Sequence, residues 1–421
     1  MNIKRVLVVG SGGREYSLIR KLRKTREDLE IICAPGNGGI SEIAECVSVS
    51  ATDVEGMVKL AKEKRIDFCV VTPDDPLALG MVDAMEAAGI PSFGPTAAAA
   101  RIESSKIFAK ELMEKADIPT AKFKFFTNAD DAIDFVSIMG FPIVIKADGL
   151  AKGKGVVVAK DMEEAYGAIN SMLNDKVFGE AGSRIIIEEF LEGVEVSVMS
   201  FCDGIDFVPM VSAQDHKRVF DGGLGPNTGG MGAFAPSRHY TDEIANEVNE
   251  RVFAPALKAM AELGCPFKGV LYAGLILTNK GLYVLEFNAR FGDPETQVVL
   301  PLLEGDLLEI MVACRNSTLK QQKISFSKDA CAVVVMVSAG YPGKPQLGDE
   351  ISGLENVTDP DAWIIHAGTV KRDGIFYTSG GRVLGVCARG KDLDSTIEKV
   401  YDNVRKIGFR GMHFRRDIGR A

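Results

Sequence analysis

Within its first hundred residues the chain alternates short apolar runs, "RVLVVG", "EIICAPG", "DFCVVTP" and "IPSFGP", with helix-patterned segments such as "SLIRKLRK" and "VEGMVKLAKEK". Strands joined by connections of that length pair in parallel, because a hairpin needs only a few residues and a helical crossover needs a dozen or more. A parallel sheet opens at the carboxyl ends of its strands, and ligands favour that edge. Farther along the grammar changes. "FPIVIKADGLAKGKGVVVAK" reads as two strands around a glycine-lysine turn, "RIIIEEFLEGVEVSVMSFCDG" reads as antiparallel, and after about Ser325 the chain is β-rich up to a terminal helix, "DLDSTIEKVYDNVRKI".

At 421 residues, with 46% hydrophobic and 25% charged side chains, the chain is too long for one core, so several domains are expected. A net charge of -9 argues against nucleic acid as a partner, since such proteins carry a basic face. No window approaches the twenty or so apolar residues of a membrane helix, and "MNIKRVLVVGSGG" enters a strand without a cleavage site. A soluble, cytoplasmic protein with no membrane partner is expected. The 8 cysteines are scattered without a CxxC, which disfavours thiolate zinc and disulfide frameworks.

Four segments carry candidate chemistry. "VLVVGSGGREYS" ends a strand in Gly10, Gly12 and Gly13, but Glu15 stands where a dinucleotide fingerprint needs its third glycine. What remains is an anion site on glycine amides at a helix start, or a tight turn with no ligand. "KADGLAKGKGVVV" lacks P-loop spacing, yet its lysines suit a polyphosphate or, equally, a solvated hairpin. Lys146, on the apolar strand "FPIVIKA", calls for an anionic partner. The long glycine-rich stretch Ala213 to Pro236 reads as a functional loop. In "YVLEFNARFGDPETQ", strand alternation puts Glu286, Asn288 and Arg290 on one face and Leu285, Phe287 and Ala289 on the other. Glu286 and Asn288 are hard oxygen donors at a spacing magnesium accepts; a solvated polar face has the same grammar.

Together these motifs resemble the ATP-grasp superfamily and, within it, the phosphoribosylamine-glycine ligases. The resemblance rests on "GSGGRE", "APGN", "KADGLA", "EEFLEG", "QDHKR", "GPNTGGMGA", "EFNARFGDPETQ" and "SGGRVLGV", and covers essentially the whole chain. It implies an α/β protein with an N-terminal parallel-sheet, Rossmann-like domain at 1–103. A two-lobed α+β ATP-grasp core would follow at 104–190 and 191–325, and a small β-rich C-terminal domain at 326–421. The implied reaction joins glycine to phosphoribosylamine with ATP through a glycyl phosphate, in purine biosynthesis, by an enzyme expected to act as a monomer. By the same resemblance, Lys106, Lys146, Lys152 and Lys154 meet the nucleotide phosphates. Glu188, Glu189, Phe190 and Leu191 form the adenine hinge, and Glu195 holds the ribose. Glu286 and Asn288 hold magnesium or manganese. Gly10, Gly12, Gly13, Asn37 and Asp74 face the ribose phosphate, while Asp215, Lys217, Arg290 and Asp293 face glycine and the reacting amine. Tyr16, Thr72, Asp74, Lys152 and Gly223 depart from the usual family pattern.

Overall fold

The computed structural model of the chain describes residues 3–150 and 155–420. Its first sheet has five parallel strands in the order Glu45–Cys46, Glu30–Pro35, Arg5–Gly10, Phe68–Val71, Ser92–Phe93. Leu7 and Val9 enter one core and Val6 and Val8 another, which is why the strand reads as an unbroken apolar run. Strand order reverses between Arg5–Gly10 and Phe68–Val71, so the crevice at their carboxyl ends brings Gly10 and Gly12 opposite Thr72 and Asp74.

The middle of the chain forms two antiparallel sheets. The smaller lobe pairs Phe123–Phe126, Ile185–Glu189, Ile143–Ala147 and Val156–Ala159, backed by the helices Ala129–Met139 and Met162–Leu173. Asn128 and Asp161 start those helices by accepting backbone N–H groups. This lobe has its own hydrophobic core, drawn only from residues 126–187. The larger lobe pairs Phe207–Pro209, Val194–Asp203, Lys268–Thr278 and Gly281–Asn288, and shares its core with the N-terminal sheet. Residues 190–193 link the two lobes, and the cleft lies between them.

The C-terminal sheet runs Gln214–Asp215, Gly232–Ala235, Ala330–Val337, Arg382–Gly390, Ala362–His366, covered by the helix Leu393–Val404. Its first two strands come from the segment that reads as a glycine-rich loop. That segment is not a loop throughout: Arg218–Phe220 pairs with Leu224–Asn227, and Met231, Ala233, Phe234 and Ala235 are buried. Ala213 at its start exchanges backbone hydrogen bonds with Ser197 of the large lobe, so the segment joins that lobe to the C-terminal sheet. No described helix is long and apolar enough to cross a membrane.

Candidate active site

The cleft is built first from the helix Lys106–Lys115. Ser105 caps it by accepting from Phe108 N–H, and Asp148 accepts from both the Ser105 hydroxyl and Ile107 N–H, at 3.1 and 2.8 Å. That start fixes Lys106 and Lys110, four residues apart, on one helix face turned to the cleft. Lys146 comes from the facing strand Ile143–Ala147. Lys110 Nζ and Lys146 Nζ lie 3.1 and 3.0 Å from the same oxygen of Glu188, whose other oxygen has no hydrogen-bond partner among the described residues. The anionic partner required by Lys146 is therefore Glu188, and the Glu188 side chain is engaged with two lysines. Lys106 Nζ donates to the Gly149 carbonyl at 3.1 Å. Burial lowers the proton affinity of Lys106, and takes that of Lys110 down to about 8 against the pull of Glu188. Two ammonium groups at one carboxylate, with a third beside them on Lys106, leave an excess of positive charge that suits a polyphosphate. Lys152 and Lys154 lie outside the described residues.

Glu189 accepts from Lys122 N–H at 2.9 Å, and Phe190, exposed, and Leu191, half-buried, form the link between lobes. The floor is Leu285, and here the alternation read from the sequence fails. Gly274 faces Glu286 while its neighbour Leu275 faces Val284, so Leu285 is the extra residue of a β-bulge. The bulge turns Leu285 to the cleft beside Glu286, rather than to the core with Phe287, and its carbonyl accepts from Lys146 at 3.3 Å.

Glu286 and Asn288 line the cleft from the strand Gly281–Asn288. Burial alone would raise the Glu286 carboxyl, but Lys217, Lys146, Lys106 and Arg290 outweigh it and hold the group below the usual carboxylate range. Asn288 Oδ1 accepts from Arg290 at 3.3 Å. An ionised carboxylate and an amide oxygen on one strand face fit a hard divalent cation that takes its other ligands from phosphates and water.

Arg290 extends this wall toward the N-terminal crevice. Its guanidinium pairs with Glu103 at 2.9 Å, and its Nε is buried without a hydrogen-bond partner among the described residues. Burial would raise the Asp74 carboxyl, but Arg290 and Arg14 hold it below its ordinary range. Sequence reasoning missed Glu103, Arg14 and Lys110; the i, i+4 spacing from Lys106 was the available signal for the last.

The glycine turn works differently from expectation. Gly12 N–H donates to Glu15 at 2.6 Å, so the protein's own carboxylate occupies that amide. Glu15 also accepts from Arg14 and from the Thr72 hydroxyl, at 2.6 and 2.7 Å. Gly10, at φ +128°, has no room for a Cβ because Glu15 folds over it. Gly12 and Gly13 lie against Asp293 and Gln297. Asn37 donates to the carbonyls of Ser11 and His366 and accepts from Gly39 and Ile40 N–H, so its side chain ties three loops together.

On the other side, Lys217 Nζ lies 2.8 Å from Glu195, joining the residue expected at the ribose to the one expected at glycine. Burial pushes the Asp215 carboxyl up to about 7, against Lys217 and with help from Glu295, Glu195 and Glu286. Burial disfavours the Lys217 charge, but Asp215, Glu195 and Glu286 overcome it and hold the ammonium well above its usual range. Asp293 pairs with Arg382 of the C-terminal sheet at 2.9 Å and accepts from Gln297 at 2.7 Å. Thus Glu286, Asn288, Arg290 and the cleft lysines are assembled directly, with Asp215 and Lys217 coupled to them by charge. Gly10, Gly12, Gly13 and Asp293 form an adjoining wall.

A cleft between two antiparallel lobes, with lysines on both sides and an acid-amide pair on the last strand, defines an ATP-grasp enzyme. Residues 4–103, 104–296 and 331–421 match the N, ATP-grasp (A) and C domains of phosphoribosylglycinamide synthetase. The phosphoribosylamine-glycine ligase of Caldanaerobacter subterraneus subsp. tengcongensis is 45% identical over 414 residues, covering 98% of this chain and 99% of that one. The crystal structure of the Thermotoga maritima phosphoribosylamine-glycine ligase superposes with a TM-score of 0.85 at 31% identity, covering 98% of this chain and 100% of that one. The biotin carboxylase domain of Hydrogenobacter thermophilus 2-oxoglutarate carboxylase, at TM-score 0.75 and 16% identity over 98% of this chain and 91% of its own, shares the fold. The chain belongs to the phosphoribosylamine-glycine ligase family.

Proposed function

We propose that this enzyme joins glycine to phosphoribosylamine at the expense of ATP, in purine biosynthesis. The observation that carries the reading is the set Lys106, Lys110 and Lys146 facing Glu286 in one cleft that Arg290 also lines, with Asp215 coupled to Glu286 by charge. ATP lies with its base against Leu285 and the link at Phe190 and Leu191, and its phosphates between the lysines. A divalent cation, magnesium or manganese, held by Glu286 and Asn288, would neutralise phosphate charge there.

A carboxylate is a poor electrophile because its leaving group would be oxide. An oxygen of glycine attacks the terminal phosphorus, ADP departs, and the carboxyl becomes an acyl phosphate. The amine of phosphoribosylamine then attacks the carbonyl carbon, phosphate leaves with the bonding pair, and the nitrogen loses a proton. Lys106 and Lys146 oppose the charge of the first step, in a water-poor cleft where each such group is worth about 10²–10³ in rate. Arg290, anchored by Glu103, supplies the positive charge that meets a carboxylate or phosphate oxygen of a substrate. Asp215, with a carboxyl near neutrality, accepts the amine proton while Lys217 steadies its charged form. Asp74 and Arg14 bound the ribose-phosphate side, and Asp293, expected at glycine, lies with Arg382 against the same glycine turn.

The separate core of the small lobe lets it move as a unit over the phosphates, excluding water from the acyl phosphate. All 8 cysteines are free, which supports a reducing, cytoplasmic setting, and we propose a monomer as the working unit. Phosphate release from ATP, measured with glycine and with phosphoribosylamine formed in place, tests the assignment. Release requiring both, with glycinamide ribonucleotide as product, is expected. Turnover with a different acid would assign the chain to another carboxylate-amine ligation.

A further inference from the structure

Away from the active cleft a second cavity of about 680 Å³ lies between the helix Gly13–Thr25 and the C-terminal domain. Arg20, Lys21 and Lys24 line one wall, and Arg389, Lys391 and Lys399 the other. Only Asp329 and Asp361 oppose these six cations in the lining, in a chain whose net charge is -9. The two acids are already engaged: Asp329 pairs with Arg389 and Lys391 at 2.8 and 3.0 Å, and Asp361 with Lys399 at 3.0 Å. Asp359, outside the lining, lies 3.7 Å from Lys399.

No carboxylate among the described residues lies within ion-pair distance of the three helix cations. Arg20 lies over the ring of Trp363 at 4.2 Å, and Lys21 is buried and donates to the Leu303 carbonyl at 2.5 Å. Surface cations are usually scattered among acids, because like charges held together repel. Here positive charge is concentrated in a concave site of ligand size.

We propose that this cavity is a second anion site, taking a small molecule with two or more linked phosphate groups that bridges the helix to the C-terminal sheet. Arg20 and Lys24, four residues apart, span about 6 Å along the helix, more than one phosphate covers. A linked second phosphate reaches the facing wall at Arg389 and Lys391. Burial lowers the proton affinity of Lys21 to about 8, and a bound anion would restore it. The floor includes Gln297, which also holds Asp293, so this cavity and the catalytic wall share one side chain.

The experiment is isothermal titration of the full chain with inorganic tripolyphosphate, without divalent metal, in three forms: wild type, Lys146→Ala, and Lys24→Glu with Lys391→Glu. Both residues of the double variant are exposed, so the fold should survive, and its melting curve checks that. The expected result is binding retained in Lys146→Ala and weakened at least tenfold in the double variant, with unchanged glycine ligation. ATP titrated into Lys146→Ala separates a nucleotide from a bare polyphosphate: tighter binding than tripolyphosphate means that the base is also read. Binding lost in Lys146→Ala and intact in the double variant would place all of it in the active cleft and overturn the proposal. So would the absence of binding to wild type at millimolar concentration.

Discussion

One oxygen of Glu188 meets two ammonium groups, so Lys110 governs where Lys146 sits as much as Glu188 does. Replacing Lys110 with Met is expected to lower kcat/KM for ATP about 10²-fold, because Glu188 would draw Lys146 off the phosphates. Steady-state kinetics of the purified variant checks this, and turnover near wild type would remove Lys110 from the account. Glu286→Gln and Lys146→Ala are expected to abolish turnover at saturating ATP and metal with melting temperatures little changed. Much of this was legible in the sequence. Lys146 on an apolar strand demanded a partner, and Glu286 and Asn288 alternate correctly. For Lys110 the only signal was its i, i+4 spacing from Lys106, which is weak because a lysine on an amphipathic helix is usually solvated. Nor was Leu285, since a bulge depends on how the partner strand twists, and the strand's own residues do not announce it.

Between elements, the contact of the N-terminal loop with the C-terminal domain is unusually tight at Gly39. A Cβ there would fall 2.1 Å from the ring of His366, which packs at a tilt on Phe376 with centroids 4.7 Å apart and hydrogen-bonds Thr369 at 3.1 Å. Gly39→Ala should therefore destabilise by about 1–3 kcal/mol through overpacking, read as a lower urea midpoint with the same slope. The same contact carries a pH dependence. Burial takes the His366 imidazole from its ordinary 6.5 down to about 4, and His216 likewise. Between those values the unfolded chain binds two histidine protons that the folded chain excludes, so their contribution to stability is lost as pH drops from about 6.5 toward about 4, offset in part by Asp215, whose raised carboxyl acts in the opposite sense. Melting temperature across that range tests this, and a flat profile would contradict it. The segment at 213–236 shows why element reading stops short: its strands are two to four residues long, and long-range pairing rather than local preference makes them.

At the scale of the whole molecule, the parallel sheet, the antiparallel middle and the β-rich C-terminus were each apparent from the alternation of strand and helix patterns, while the division of the middle into two lobes came from the family resemblance. Their interlocking was not. Gly232–Ala235 is buried against Ala330–Val337, and Gln214–Asp215 pairs with Gly232–Ala235, so the C-terminal sheet helps hold Asp215 in place. A chain ending at residue 328 is expected to expose that edge, lose activity and aggregate, as size-exclusion chromatography would show. A soluble, active fragment would mean that the domains are separable.

The central claim, that this cleft activates a carboxylate by phosphorylating it, is tested most directly with glycine carrying heavy oxygen in its carboxyl group. Mass analysis of the phosphate released during turnover should find one labelled oxygen in each phosphate, because the oxygen that attacked phosphorus leaves with it. Unlabelled phosphate, at full turnover, would show that the amide forms without an acyl phosphate and would contradict the account.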